Sequence, residues 1–439
     1  MPDLDVLDLD RTLRRAEEAW RGWRRALSAG DAVDEDPFVF TRPALGKTKL
    51  EVVRGLPDSD PLRTPLERWI LRLAEQRIDR EAIALGVRRR RVEGHLLDAP
   101  LRGTFTLSGM LAQALATAPL RGAWLDALRA RSQSAALVEA TLWERRQELA
   151  RRLGLARADA HELAAPAASA VLDSLLGATD DLVAELGATD LPGWLGAALG
   201  EGAREGWPGR LNAAALATLL RDTPWVDRVA LDLPPLPACH APASFARALV
   251  MVGRAFARAL APAAQPFVIA RDPYALPEHL HGALLLPVLL APGWLRRRLD
   301  VGRSRLAEHR RALAAVLLCH ARALALELGL RSAALRGRQA LFEGTEELAV
   351  RCLGFPLGPS SAGVLFRPRA DGASRLAGLL LALGWQRALV ERHDEDWFWN
   401  PRAAEEIRAA AGAPPADAVD PTALDAGVAA LRELVAAAL

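Results

Sequence analysis

Residues 303–331 read "RSRLAEHRRALAAVLLCHARALALELGLR", and this stretch decides the fold class. Leu313, Leu317, Ala321, Leu324 and Leu328 follow one another at steps of three and four, the spacing that stacks side chains along one face of a helix. Working outward, the same period runs through "RTLRRAEEAWRGWRRALSAG" (11–30), "RGAWLDALRARSQSAALVEATLWERRQELARRLGLA" (121–156) and "PASFARALVMVGRAFARALAP" (242–262). The expected fold is therefore mostly α, a large multi-helix body with at most a small β element. The only plausible strands are "FVFT" and "TKLEVVRGL" near 38–56, "GTFTLS" at 103–108, "QPFVIA" at 265–270 and "GVLFRP" at 363–368.

Glycines and prolines punctuate the helical pattern. Gly30 and Gly154 stand where helices would end, and Pro234, Pro235 and Pro237 mark a rigid connection. A soft boundary near 232–242 divides the chain into an N-terminal helical part (1–232) and a C-terminal helical part (243–439). A single core shared by the two parts remains open.

At 439 residues the chain can bury an extended core without covalent staples. Cys239, Cys319 and Cys352 are odd in number and form no CxxC, so neither a disulfide framework nor a zinc ribbon is supported. The N-terminus is acidic and then amphipathic, unlike a signal peptide, and runs such as "GALLLPVLLAPGW" are short and cut by Pro287 and Pro292. The expectation is a soluble cytoplasmic protein with no membrane partner. A formal net charge of +2 gives no general reason to expect nucleic acid. Lys47 and Lys49 are the only lysines, and the Arg, Ala and Leu excess reads as the codon bias of a GC-rich bacterial genome.

Pro277-Glu278-His279-Leu280-His281 carries the Glu and second His of the zinc signature H-E-x-x-H, with proline at the first ligand. Pro277 cannot bind metal. Glu308 lies on the following helical segment, where a third ligand could come from, and His279 points away from His281 by helical geometry. The other reading of "PEHLH" is a helix N-terminus with proline in its first turn. "HELAA" at 161–165 is a second broken signature, read as chance. "HDEDW" at 393–397 could hold a divalent ion or simply begin a helix. "REAIALGVRRRRVEGHLL" at 80–97 mimics a helix-turn-helix, with Gly86 at the turn and Arg88–Arg91 beyond it. The tryptophans read as helix–helix packing.

"LGWQRALVERHDEDWFWNPRAAEEIRAAAG" resembles the closing region of the oligoendopeptidase F and thimet-oligopeptidase family. "LWERRQELARRLGLARADAHEL" is similar to a helix of that family, and "HAPASFARAL", "PEHLHG" and "EHRRAL" keep its order of elements. The resemblance covers 120–412 loosely. It implies a large α-helical metallopeptidase-like body enclosing a cleft, with Glu278 as a vestigial or repurposed general base, His281 and Glu308 as remnant zinc-ligand positions, and Pro277 in place of a ligand. Tyr274 precedes the motif, whereas the family's oxyanion-stabilising His and Tyr follow its ligands. His309, His320 and His393 have no matching context.

The expected function is accordingly a catalytically inactive metallopeptidase-like protein that binds a peptide or protein partner in its cleft, with no metal or other cofactor. The alternative is a metal-independent enzyme acting on a peptide or natural product, with Glu278 as general base and His281 or Asp272 nearby. A DNA-associated regulator acting through Arg88–Arg91 is a third reading.

Overall fold

The structure, a computed structural model, describes the backbone of all residues except 1–4, 30–34, 93–94, 98–102, 106, 132–134, 228, 240 and 417, and side chains outside 27–34, 81–109 and 131–136 as well. Along the chain run α1 (Val6–Ala29), α2 (Lys47–Arg54), α3 (Arg63–Val92), α4 (Leu107–Ala116), α5 (Arg121–Arg131), α6 (Ala135–Arg152), α7 (Ala165–Ala170), α8 (Leu172–Glu185), α9 (Leu191–Leu199) and α10 (Ala213–Leu219). They are followed by α11 (Pro242–Leu260), α12 (Phe267–Ala270), α13 (Leu276–Ala283), α14 (Pro292–Leu299), α15 (Leu306–Arg336), α16 (Arg338–Leu353), α17 (Pro359–Leu365), α18 (Gly372–His393), α19 (Pro401–Ala411) and α20 (Pro421–Ala436). The only sheet among the described residues is an antiparallel pair, β1 (His95–Leu97) and β2 (Gly103–Phe105).

The apolar period of 303–331 becomes α15, which buries Leu313, Leu317, Leu324 and Leu328 against α9, α16 and α18. The segment Arg303–Arg336 is long and apolar enough to cross a membrane, but 78% of its most apolar window is buried inside the protein, as befits the central helix of a bundle. One large hydrophobic core surrounds it, from Met110 to Val435. A smaller core joins α1, α2 and α3 through Leu13, Trp20, Leu50, Val53 and Trp69, with Leu153 and Val268 completing it. Trp20 and Trp23 stack at 5.3 Å within it, a helix-packing role for aromatic area.

Four of the five candidate strands are not strands. "TKLEVVR" forms α2, because Leu50 and Val53, three residues apart, are both buried, and packing overrides the β preference of valine. "FVFT" lies in turns leading into a short 3-10 helix at Arg42–Leu45. "QPFVIA" forms α12, whose first amides at Phe267 and Val268 are capped by the Asp10 carboxylate of α1 at 3.2 and 3.0 Å. "GVLFRP" begins as the end of α17. Only "GTFTLS" contributes a strand, β2. The helix-turn-helix reading also fails, since α3 runs unbroken through Gly86 to Val92 and β1 follows it; the side chains of Arg88–Arg91 lie outside the described ones.

Glycines bring the helices around "PEHLH" into close contact. A Cβ on Gly253 of α11 would collide with the His281 carbonyl of α13, and one on Gly378 of α18 would sit 2.6 Å from the His279 Cβ. Helix α13 is thus clamped between α11 and α18 at a separation only glycine permits.

Candidate ligand-binding cleft

Helix α13 begins where Ala275 turns left-handed, at φ 58°, and Asp272 secures that turn by accepting from the amides of Tyr274 and Leu276, each at 3.0 Å, and from Arg68 at 2.5 Å. Asp272 is a turn-stabilising side chain committed to three donors. Pro277 occupies the first turn, where a missing amide hydrogen costs nothing.

Glu278, on the same turn, faces α11. Arg258 Nη2 and Nε reach its two oxygens at 2.5 and 3.3 Å, and Arg254 Nη2 lies 3.8 Å away. Burial alone would raise its pKa, but Arg258 and Arg254 outweigh burial and hold the carboxyl below its ordinary value. His281 turns to another side. Its Nδ1 pairs with the Pro277 carbonyl at 2.8 Å, and its ring meets Trp385 edge-on at 5.5 Å and packs against Phe256. Burial depresses its pKa against the pull of the Pro277 and Ile407 carbonyls. Glu308 sits exposed at the start of α15, 3.3 Å from Arg305 Nε and Nη2.

The structure therefore sends these three side chains to three places. Among the described residues no group of three or more His, Cys, Asp or Glu is arranged to hold a metal ion. His281 and Glu308 do not converge, Pro277 supplies no ligand, and Glu278 is held by two guanidinium groups, so the residues present do not fit the metal that the family resemblance implies.

Four more of the singled-out residues are engaged by other protein groups. Glu162 of "HELAA" is buried, pairs with Arg331 and accepts from the Ser374 amide and hydroxyl at 2.8 and 2.7 Å. His161 meets the Tyr274 hydroxyl, which also donates to Glu75 at 3.2 Å; burial, followed by the charge of Arg72, lowers the His161 pKa to about 3. His309 is sealed between the carbonyls of Arg305 and Glu205, both at 3.1 Å. His393 lies 3.2 Å from Glu406, and "HDEDW" closes α18 and turns into a 3-10 helix at Trp397–Trp399.

A cavity of about 300 Å³ opens between the two cores, bounded by α1, α3, α6, α15 and the segment 364–371. Its size is at the lower end of ligand pockets. Its walls are charged: five arginines (Arg24, Arg72, Arg146, Arg367, Arg369) and three carboxylates (Asp79, Glu327, Asp371). Arg369 pairs with Asp371 at 3.0 Å, Arg146 with Asp79, and Glu327 with Arg375 of α18. His279 Nε2 approaches Asp371 at 3.5 Å, linking the "PEHLH" helix to the cavity wall. Burial would raise the Asp371 pKa, yet Arg369 beside it, with His279 nearby, carries it well below the ordinary carboxylate range. His279 itself is lowered to about 4, first by burial and then by Arg254.

Sequence reading missed this arginine-lined space, because its residues come from five separated segments. What the sequence does show is an arginine stripe on α11, Arg247, Arg254 and Arg258, opposite the buried Phe245, Leu249, Val252 and Phe256; two of these face Glu278, and none lines the cavity.

Two solved structures share this architecture. A protein assigned as an oligoendopeptidase F superposes with a TM-score of 0.60 at 10% identity, over 99% of this chain and 96% of that one. The fold is that of the oligoendopeptidase F-like peptidases. PZ peptidase A, solved with an inhibitor, gives the same TM-score of 0.60 at 8% identity, over 99% of this chain and 98% of that one. Neither a family model nor a curated protein matches the sequence.

Proposed function

We propose that this oligoendopeptidase F-like protein binds a peptide or protein partner in its central cleft and does not cleave peptides by zinc chemistry. The observation that carries the reading is the state of Glu278: in a body of peptidase fold, the carboxylate of the incomplete zinc signature is engaged by Arg258 and Arg254, away from His281 and Glu308. A cavity nevertheless persists between the two cores, and concave sites in a preserved scaffold are where ligands bind.

The same geometry weakens the metal-independent enzyme. A general base works best with a pKa near the working pH, and the arginines push Glu278 the other way. Asp272 is spent on a turn and His281 on packing.

The test is a quenched-fluorescent peptide pool incubated with dialysed protein, with and without added zinc, alongside a binding measurement on the same pool. Binding without turnover in both conditions is expected. Zinc-dependent hydrolysis that is lost in Glu278→Gln would overturn the proposal.

A further inference from the structure

We propose that Arg247 of α11 and Arg375 of α18 together bind one small oxyanion beside α13, the helix that α11 and α18 flank. The chemistry is shared by the C-terminal carboxylate of a peptide and by free phosphate. The carboxylate source rests on the peptide-binding reading, whereas the subsite itself does not.

The first observation is an arginine without a counter-ion. Arg247 is exposed, and among the described residues its side chain has neither a hydrogen bond nor an ion pair. Farther along the same stripe Arg254 and Arg258 face Glu278. The charges that reach Arg247 are instead those of Arg369 and Arg375, and burial, followed by these two, loosens its hold on its proton. A guanidinium taken partly out of water and facing only like charges is held at a cost. A bound anion would remove that cost, and the exposure of Arg247 lets one approach.

The second observation is the state of the neighbours. Arg369 pairs with Asp371 and Arg375 with Glu327, so both carboxylates of this group are taken and Arg247 is left over. Arg375 uses only Nη1 for Glu327, and 21% of its side chain is exposed. Among the described residues its Nε and Nη2 have no partner, and neither is sealed from solvent. An unpartnered guanidinium and one with open donors thus stand in each other's field, on helices that pack against α13 through Gly253 and Gly378.

The chemistry then selects the ligand. Guanidinium groups present planar pairs of N–H donors that match the oxygens of a carboxylate or a phosphate. A single uncompensated positive charge suits a single anionic group, which separates this subsite from a groove for a polyanion.

The experiment titrates three probes into dialysed full-length protein in low-salt, phosphate-free buffer: sodium phosphate, N-acetyl-tetra-alanine with a free C-terminal carboxylate, and the same peptide as its C-terminal amide. The readout is calorimetry, with Tm measured alongside. Phosphate and the free acid are expected to bind, and the amide to bind at least about tenfold more weakly. Arg247→Gln should weaken both anions about tenfold or more, and Arg247→Lys, which keeps the charge without the planar fork, should retain part of the affinity. Without anion, the Tm of Arg247→Gln should equal or exceed that of wild type, because the substitution breaks no contact and relieves repulsion from Arg369 and Arg375.

Phosphate binding without binding of the free acid would keep the subsite and assign it to a free anion. Equal binding of acid and amide, unchanged in Arg247→Gln, would overturn the subsite while sparing the peptide-binding reading. Failure of both phosphate and the free acid to bind would overturn the subsite. A lower Tm of anion-free Arg247→Gln would show that Arg247 holds a structural contact, and would overturn it too.

Discussion

Replacing Glu278 by glutamine tests whether this carboxylate is a structural counter-ion. The substitution keeps the shape of the side chain and removes its charge, leaving Arg258 and Arg254 facing each other's field with a neutral amide between them. Arg258 loses a two-point charged contact at 2.5 and 3.3 Å. Hydrogen bonds to charged groups contribute about 1.5–3 kcal/mol, and because the Glu278 and Arg258 side chains keep 16% and 17% exposure, we take a loss of about 2 kcal/mol. At about 2.1 cal/mol/K of unfolding entropy per residue, 439 residues give about 0.9 kcal/mol/K, so Tm falls by about 2 °C at pH 7. The pH dependence fixes the cause. The folded pKa of Glu278 lies below its ordinary value of 4.5, so its contribution is present above that value and is lost as pH falls through the folded pKa. Scanning calorimetry of wild type and Glu278→Gln from pH 7 down to pH 3 should show two Tm curves that converge toward the acid end. A variant as stable as wild type at pH 7, or a gap that widens on acidification, would refute the reasoning.

Other expectations follow from the same geometry. Gly253→Ala should drive α11 away from the His281 carbonyl of α13 and cost about 1–3 kcal/mol by overpacking, read as a lower denaturant midpoint, whereas Gly344→Ala, which meets nothing within 4 Å, should not destabilise. His279 is buried and neutral, with its pKa lowered from 6.5 to about 4; the folded state thus binds fewer protons than the unfolded one, and stability should fall as pH drops from about 6.5 to about 4, by on the order of 3 kcal/mol from this group. His279→Asn should flatten that segment of the stability–pH curve. Ser374→Ala removes one of the two donors to Glu162 Oε1 in the buried pair with Arg331 and should lower stability by about 1–2 kcal/mol.

Much of the fold could be read from the sequence because long helices advertise themselves. The period of 303–331 predicts α15 and also the face it buries, since Leu313, Leu317, Leu324 and Leu328 are its core residues. Short elements were less legible. "TKLEVVR" and "QPFVIA" carry β-branched residues that suggest strands, and only tertiary contacts, Leu50 and Val53 in the small core and Asp10 capping α12, make them helical. At the site, the proline-initiated helix was visible in "PEHLH", and so was the absence of a first ligand. What Glu278 does instead was not visible, because its partners Arg254 and Arg258 lie twenty residues or more upstream in a segment that reads as an amphipathic helix. The cavity was hidden for a similar reason. Arginines attributed to genome composition converge from α1, α3, α6 and the 364–371 segment, and convergence is a property of the tertiary fold.

The central claim is that this peptidase-like body keeps its cleft without a zinc centre. Elemental analysis of purified protein after zinc loading and exhaustive dialysis tests it most directly. The account predicts zinc far below one equivalent per chain, in wild type and Glu278→Gln alike. One equivalent of zinc retained through dialysis, and lost in Glu278→Gln, would contradict it.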